Sequence, residues 1–378
     1  MLYGTPMQTE VVDPQASPAL VPGKVLVAMS GGVDSSVAAA LLAQQGWQVV
    51  GVAMRLYSYP QEAESDGRTC CAPDDLYDAR RVAARMNFPF YVTNAQEQFR
   101  ERVVQPFIDD YLAGRTPSPC VRCNDHLKFD LLFKRMEALD LDRLATGHYA
   151  RIDQAADGRF RLLRATSVER DQSYFLFGLG QAQLAKLLFP IGHLHKPRVR
   201  EIAVEIGLST AHKPDSMDIC FVGAEGGDAS AFVEKYAGGA RPAPGEIVDD
   251  AGKLLATHDG IHNYTVGQRR KLGVFAPVPL YVKSIDAATR RVVVAARDEA
   301  TRSTFSLHDV RFVAGAPPPP TRELLVRVRH RHEGVAGTVH ATADGAAVQL
   351  AAPTLGVAPG QAAVFYEGEE VVGGGWIV

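Results

Sequence analysis

Two sets of residues in this chain have the types and spacing for chemistry. The first is Ser30-Gly31-Gly32-Val33-Asp34-Ser35-Ser36. Adjacent glycines let a backbone approach a ligand that any Cβ would hold off. A helix starting there turns unpaired N–H groups and its positive dipole end onto one point. With the hydroxyls of Ser30, Ser35 and Ser36, the turn suits a phosphate. It has neither the lysine of a Walker loop nor the third glycine of a dinucleotide fingerprint. The second set is sulfur. Cys120 and Cys123 form a Cys-x-x-Cys in the proline-stiffened run Thr116 to Asn124, and Cys220 closes Asp215-Ser216-Met217-Asp218-Ile219-Cys220. Cysteine reacts as thiolate, and its pKa falls near cations and helix N-termini. Arg122 and Lys128 supply cations to the first segment. Asp215 and Asp218 oppose a thiolate at Cys220 and suit a persulfide, which is more acidic than a thiol. The bland alternative is a small buried hydrophobe, the reading taken for Cys70 and Cys71.

These residues need elements to hold them. Val25 to Met29 is an apolar run that reads as a buried strand, with a helix after the glycine turn. Further strands are expected at 47–54, 90–92 and 143–147. Helices are expected at 74–86, 99–112 and 127–139, the last opened by Lys128-Phe129 after a cysteine-bearing loop. This βαβα order predicts a doubly wound parallel sheet, whose ligands sit beyond the carboxyl ends of its strands. Ser30–Ser35, Met54 and Gly147-His148 all fall there. A hairpin around Asp157-Gly158 follows, then helices at 181–188 and 197–206. Past residue 222 closely spaced turn signals predict a small central, mostly β domain and a C-terminal antiparallel β-barrel. The expected division is a loose leader over 1–21, a catalytic domain over 22–222, a central domain over 223–300 and a barrel over 301–378. Pro317 to Pro320 are either a stiff linker or a loop within the barrel.

With 378 residues, 46% hydrophobic and 22% charged, the chain reads as an ordinary soluble globular protein, expected in the cytoplasm. No run has the length of a membrane span. Five cysteines without an export signal argue against a disulfide framework. The net charge of −3 gives no global pull toward nucleic acid. Local basic stretches exist at Lys196–Arg200, Arg269–Lys271 and Arg327–His332, each read first as a solvated charged face.

The glycine turn resembles the pyrophosphate loop of ATP pyrophosphatases, Ser-Gly-Gly-x-Asp-Ser. Joined to Pro119–Asn124, Ala145-Thr146-Gly147-His148-Tyr149-Ala150, Asp171-Gln172-Ser173-Tyr174-Phe175-Leu176, Asp215–Val222, Tyr264-Thr265-Val266-Gly267-Gln268-Arg269 and Gly373-Gly374-Gly375, it makes the chain resemble the bacterial tRNA-specific 2-thiouridylases from about Val25 onward. That resemblance implies ATP binding at Ala28, Met29, Ser30, Gly31, Gly32, Val33, Asp34 and Ser35, with Met54 and Gly147 at the adenine side and Mg²⁺ on the phosphates. It implies adenylation of the 2-oxygen of the wobble uridine. A persulfide on Cys220 then supplies sulfur and Cys123 is the nucleophile, leaving a Cys123–Cys220 disulfide. It places Ser118, Pro119 and Cys120 at the target base. His148, Arg170, Asp171, Gln172, Arg329, His330 and Gln361 are placed on tRNA, expected to be those for Lys, Glu and Gln. A cysteine desulfurase or sulfur-relay protein is the implied donor.

Many family members carry Asp where this chain has Cys120, and Gln where it has Met217. The first departure leaves open an iron–sulfur cluster on Cys120, Cys123 and Cys220. A different class of function, an amide-forming ATP pyrophosphatase acting on a small metabolite, explains the loop and the sheet but gives the cysteines and the β-rich tail no task.

Overall fold

A computed structural model of the chain describes residues 21–57, 73–215, 219–225, 227–238 and 243–378. The expected leader, Cys70, Cys71, Met217 and Asp218 lie outside the described residues.

The first sheet is parallel and has β1 (Lys24–Ala28) at its centre, between β2 (Gln48–Arg55) and β4 (Arg143–Thr146), with β3 (Phe90–Asn94) outside β2. Val25, Leu26 and Val27 of β1 are all fully buried, as a strand covered on both faces requires. Helix Val33–Gln44 leaves the end of β1, and its run of Val37, Ala38, Ala39 and Ala40 is buried against helix Lys196–Ile206. That second helix stops at Gly207, whose φ of 70° supplies the left-handed cap.

Two expectations are corrected here. The helix expected over 181–188 covers only Gln181–Leu184; Leu187–Leu188 instead forms a fifth parallel strand beside β4. The exposed ladder edge of β4 takes this short apolar pair as its partner, with Leu144 donating to the Lys186 carbonyl at 2.9 Å. The Cys-x-x-Cys segment, expected as a loop, is helical over Pro119–Cys123 and runs through a π turn, Asn124–Lys128, into helix Phe129–Ala138. Pro119 begins that helix, where a missing N–H costs no intrahelical bond.

A four-stranded sheet follows, Leu280–Asp286, Arg291–Ala296, Gly245–Val248 and Leu254–His258 in spatial order. Thr301–Phe312 then opens a barrel. It pairs on one side with Gly345–Leu355 and on the other with Glu370–Ile377, which closes the ring through Val335–Thr342, Leu324–Arg327 and Ala362–Glu367. Pro317–Pro320 therefore lie in a loop of the barrel. The hairpin Ala150–Gln154 and Phe160–Arg164 joins the barrel wall through Leu163 and Glu370. No helix among the described residues is long and apolar enough to cross a membrane.

One hydrophobic core runs from Leu26 and Phe129 into Val364, Tyr366 and Trp376 of the barrel. Tyr174, fully buried in it, donates its hydroxyl to the Ala362 carbonyl at 2.8 Å. Tyr174→Phe leaves that acceptor unsatisfied without changing the packing. It is expected to lower stability by about 1–2 kcal/mol, read as a shift of the urea midpoint at unchanged slope.

Candidate active site

The glycine turn joins β1 to its helix. Gly31 has φ of +77°, and a Cβ there would lie 2.1 Å from the Asp75 carbonyl oxygen, so the turn closes against helix Pro73–Arg85 only with glycine. Gly32 caps the helix with extended backbone and offers no side chain, which leaves the first-turn N–H groups for a ligand. Gly147, past the end of β4, packs where a Cβ would lie 2.6 Å from the Ser35 nitrogen. The hydroxyls divide their work. Ser36 is buried and donates to the Gly32 carbonyl at 2.8 Å, so it braces the turn instead of facing a ligand. Ser35 accepts from the Ser30 N–H at 3.1 Å, and Ser30 stays exposed.

A cavity of about 280 Å³ opens in front of the turn. Ala28, Met29, Ser30, Gly32, Val33, Asp34, Ser35, Met54 and Gly147 line it; Gly31 lies behind. Val52, Met54, Leu56, Phe129 and Leu132 make an apolar wall suited to a base, and the serines with the first-turn N–H groups make a polar end suited to phosphates. Asp34 and Asp75 bring hard carboxylate oxygens of the kind Mg²⁺ takes, each shared with a lysine, Asp34 with Lys196 and Asp75 with Lys213 at 2.5 Å, and the residues present fit a magnesium–nucleotide ligand.

The polar end is organised by a residue that the sequence placed elsewhere. Lys196, within the stretch read as a solvated face, is only 8% exposed. Its ammonium donates to both Asp34 oxygens at 2.8 Å and pairs with Asp215 Oδ1 at 2.7 Å. Tyr149 also donates to Asp34 at 2.8 Å, and burial followed by the Asp34 charge drives its phenol upward, so it stays protonated. Asp215 further meets Arg170 at 2.9 Å and Arg200 at 3.0 Å. Burial opposes its ionisation, but the Lys196 hydrogen bond and these cations outweigh it and hold its carboxyl below the usual range. Asp215 is therefore compensated and does not act on Cys220 as a bare negative charge. No local signal marks Lys196: it opens a helix, the dipole end that disfavours a cation, and only its distant carboxylate partners hold it there.

Cys123 is buried, Cys220 half-buried and Cys120 exposed. Cys123 and Cys220 pack on the same core cluster. Neither lines the cavity, but its walls include Lys128, Phe129 and Leu132, which run on from Cys123, and Lys213, Pro214 and Asp215, which lead toward Cys220. Phe221 anchors the Cys220 turn edge-on to Phe107 and Phe232, each at 5.0 Å. Arg122 lies over Trp376 at 4.8 Å and pairs with Asp110 at 3.7 Å.

The residues assigned to RNA by resemblance fall into two groups. Cys120 and Arg329 are exposed, and Arg170 and Gln172 face the cavity. Ser118, Pro119 and Asp171 are buried. Asp171 accepts from the backbone of Ala165 at 3.2 Å and Ser173 at 3.1 Å, and pairs with Arg327 at 3.6 Å. His330 is half-buried over Phe175, ring centroids 4.4 Å apart. Gln361 donates to the Thr116 and Pro117 carbonyls at 3.1 and 2.9 Å, tying the barrel to the cysteine helix. His148 lines the cavity, with Nδ1 2.8 Å from the Thr146 hydroxyl. Burial, then the Lys128 charge, pushes its pKa down to about 3, so it meets any ligand as a neutral ring.

A family model described as tRNA methyl transferase HUP domain matches residues 23–224. Models described as tRNA methyl transferase PRC-barrel domain and aminomethyltransferase beta-barrel domain match 230–296 and 302–377. The chain is 48% identical, over 94% of its length and 96% of the other, to the tRNA-specific 2-thiouridylase MnmA of Geobacter metallireducens. It is 46% identical to the protein of the same name from Geotalea uraniireducens, over 94% of each chain. To the one from Acidobacterium capsulatum it is 47% identical over 94% of this chain and 98% of that one.

Lys196→Met leaves two carboxylates facing each other without their shared cation. It is expected to cost about 3 kcal/mol of stability in urea unfolding, with ATP binding weakened in the variant that still folds. His148 gives a pH signature. Its folded pKa lies below the unfolded value near 6.5, so the unfolded chain binds the extra proton. Stability is therefore expected to fall as pH drops from about 6.5 toward 3. Its imidazole NMR signals should show no titration between pH 5 and 8.

Proposed function

This chain belongs to the tRNA-specific 2-thiouridylase family, and on that premise we propose that it thiolates the wobble uridine of tRNA at the expense of ATP. The observation that carries the reading is the shared cavity. One wall is the glycine turn, a second holds Lys128, Phe129 and Leu132, which follow Cys123 in sequence, and a third holds Lys213 to Asp215, which precede Cys220 in sequence.

The uridine 2-oxygen attacks the α-phosphorus of ATP, and pyrophosphate leaves. The turn N–H groups and Ser30 hold the phosphates, and Lys196 keeps Asp34 aimed at the same end. Mg²⁺ held there, beside Asp34 and Asp75, would neutralise phosphate charge. The adenylated carbon is then attacked by the outer sulfur of a Cys220 persulfide, and AMP leaves. The Cys123 thiolate attacks the inner sulfur. The outer sulfur stays on the base as sulfide-level sulfur, and the two cysteines become a disulfide that an external thiol reduces. Cys120, exposed at the start of the same helix, faces the approaching RNA. The substrates are tRNAs for Lys, Glu and Gln, and a cysteine desulfurase or sulfur-relay protein loads Cys220.

The cluster route fits these residues less well. Cys120 is exposed and Cys123 buried, and among the described residues no three His, Cys, Asp or Glu side chains are gathered as a metal site. Methyl transfer, the activity in the family descriptions, gives the glycine turn no task. An amide-forming reaction on a small metabolite uses the turn but leaves the cysteine segments idle.

Cys220→Ser separates the two stages. With undermodified tRNA and ATP it is expected to keep releasing pyrophosphate while 2-thiouridine, read by mass analysis of digested tRNA, falls to background. Full thiolation by this variant would refute the role assigned to Cys220.

A further inference from the structure

The stretch from Tyr264 to Pro279 links the short helix Ile261–Asn263 to strand Leu280–Asp286 without regular structure. Its base is fixed. Gly267 donates to the Val282 carbonyl at 2.7 Å, Val282 donates back to Gln268 at 2.9 Å, and Leu272 is buried in the central domain. Beyond that anchor the chain opens around a second cavity of about 480 Å³, lined by Arg269, Lys271, Phe275, Pro277 and Val278 among others. Phe275 is fully exposed at 103%, and Val278 is exposed at 52%. Arg269, Arg270 and Lys271 are all exposed. No ion pair joins any of them to another described residue, whereas Lys283 and Arg291 on the adjoining strands are paired with Asp250 and Glu246.

An exposed aromatic ring, a concave surface and three cations are the components that hold an unpaired nucleotide. The ring stacks on the base, and the cations meet its phosphates. The position agrees. A Cβ on Gly267 would lie 2.7 Å from the Gly356 Cα, and one on Gly356 would lie 2.8 Å from the Arg329 guanidinium. Gly267, two residues before Arg269, thus packs against the barrel turn that the exposed Arg329 reaches. Charge complementarity selects a polyanion over an apolar peptide.

We propose that the 269–279 segment is a second RNA contact, which takes an unpaired nucleotide of the substrate tRNA on Phe275 and its phosphates on Arg269, Arg270 and Lys271. The proposal rests on the tRNA reading above. It adds a site outside the catalytic cavity.

The test measures binding of full-length undermodified tRNA across a salt series, with thiolation by each variant alongside. Phe275→Ala is expected to weaken binding by about fivefold or more, and Phe275→Trp to keep it. Joint replacement of Arg269, Arg270 and Lys271 by Ser is expected to reduce the slope of log affinity against log salt by about two. ATP binding and the thermal midpoint should not move in any of them. If the wild-type protein thiolates tRNA but both variants bind it with wild-type affinity and slope, this site is overturned while the catalytic reading stands. If tRNA affinity holds but sulfur delivery from a donor protein slows, the surface docks that donor and the RNA proposal is also overturned. No thiolation by the wild-type protein would instead reject the catalytic reading.

Discussion

The ammonium of Lys196 is the contact on which the site depends. It is nearly buried and holds Asp34 of the glycine turn and Asp215 of the segment ahead of Cys220 at the same time. Two carboxylates at such range repel each other unless a cation lies between them, and burial removes the water that would otherwise screen them. The cation belongs to a helix that packs on the helix following the turn, so the positions of both acidic groups are fixed by the core. Arg170 and Arg200 complete the balance around Asp215. The two stages of the proposed reaction thus meet at one cluster of two carboxylates and three cations.

The barrel acts on the catalytic half as a buttress. Gln361 holds the carbonyls just ahead of the cysteine helix, and Trp376 receives Arg122 from within it. Asp171 organises its own loop and meets Arg327 from the barrel, while His330 lies against its carbonyl at 3.3 Å. Several residues assigned to RNA by resemblance are thus also the residues that join the parallel sheet to the barrel. A side chain can do both only if its outer edge reads the RNA while its inner edge keeps the joint closed.

Local signals made much of this legible in the sequence. The apolar run of β1, the paired glycines and Asp34 gave the turn, because each answers to chemistry within a few residues. The hairpin turns at Asp249, Asp286, Asp344 and Glu367 were readable for the same reason. Lys196 was not, because its partner Asp34 is 162 residues away and its neighbours Pro197, Arg198 and Arg200 look like surface. The strand Leu187–Leu188 is too short to show a period of two and exists because β4 has an open edge. The helical state of Cys120–Cys123 was hidden by prolines that read as a loop, although one of them opens the helix.

The tether from Gln361 has a bearing on how the protein is made. Its acceptor on Thr116 precedes it by 245 residues. On the ribosome, the glycine turn and the parallel strands emerge early and can close on one another while most of the barrel is still being translated. The cysteine helix gains its brace only when the strand carrying Gln361 has emerged and joined the ring. A nascent chain would therefore complete the glycine turn and its neighbouring strands before the cysteine helix gains its last brace.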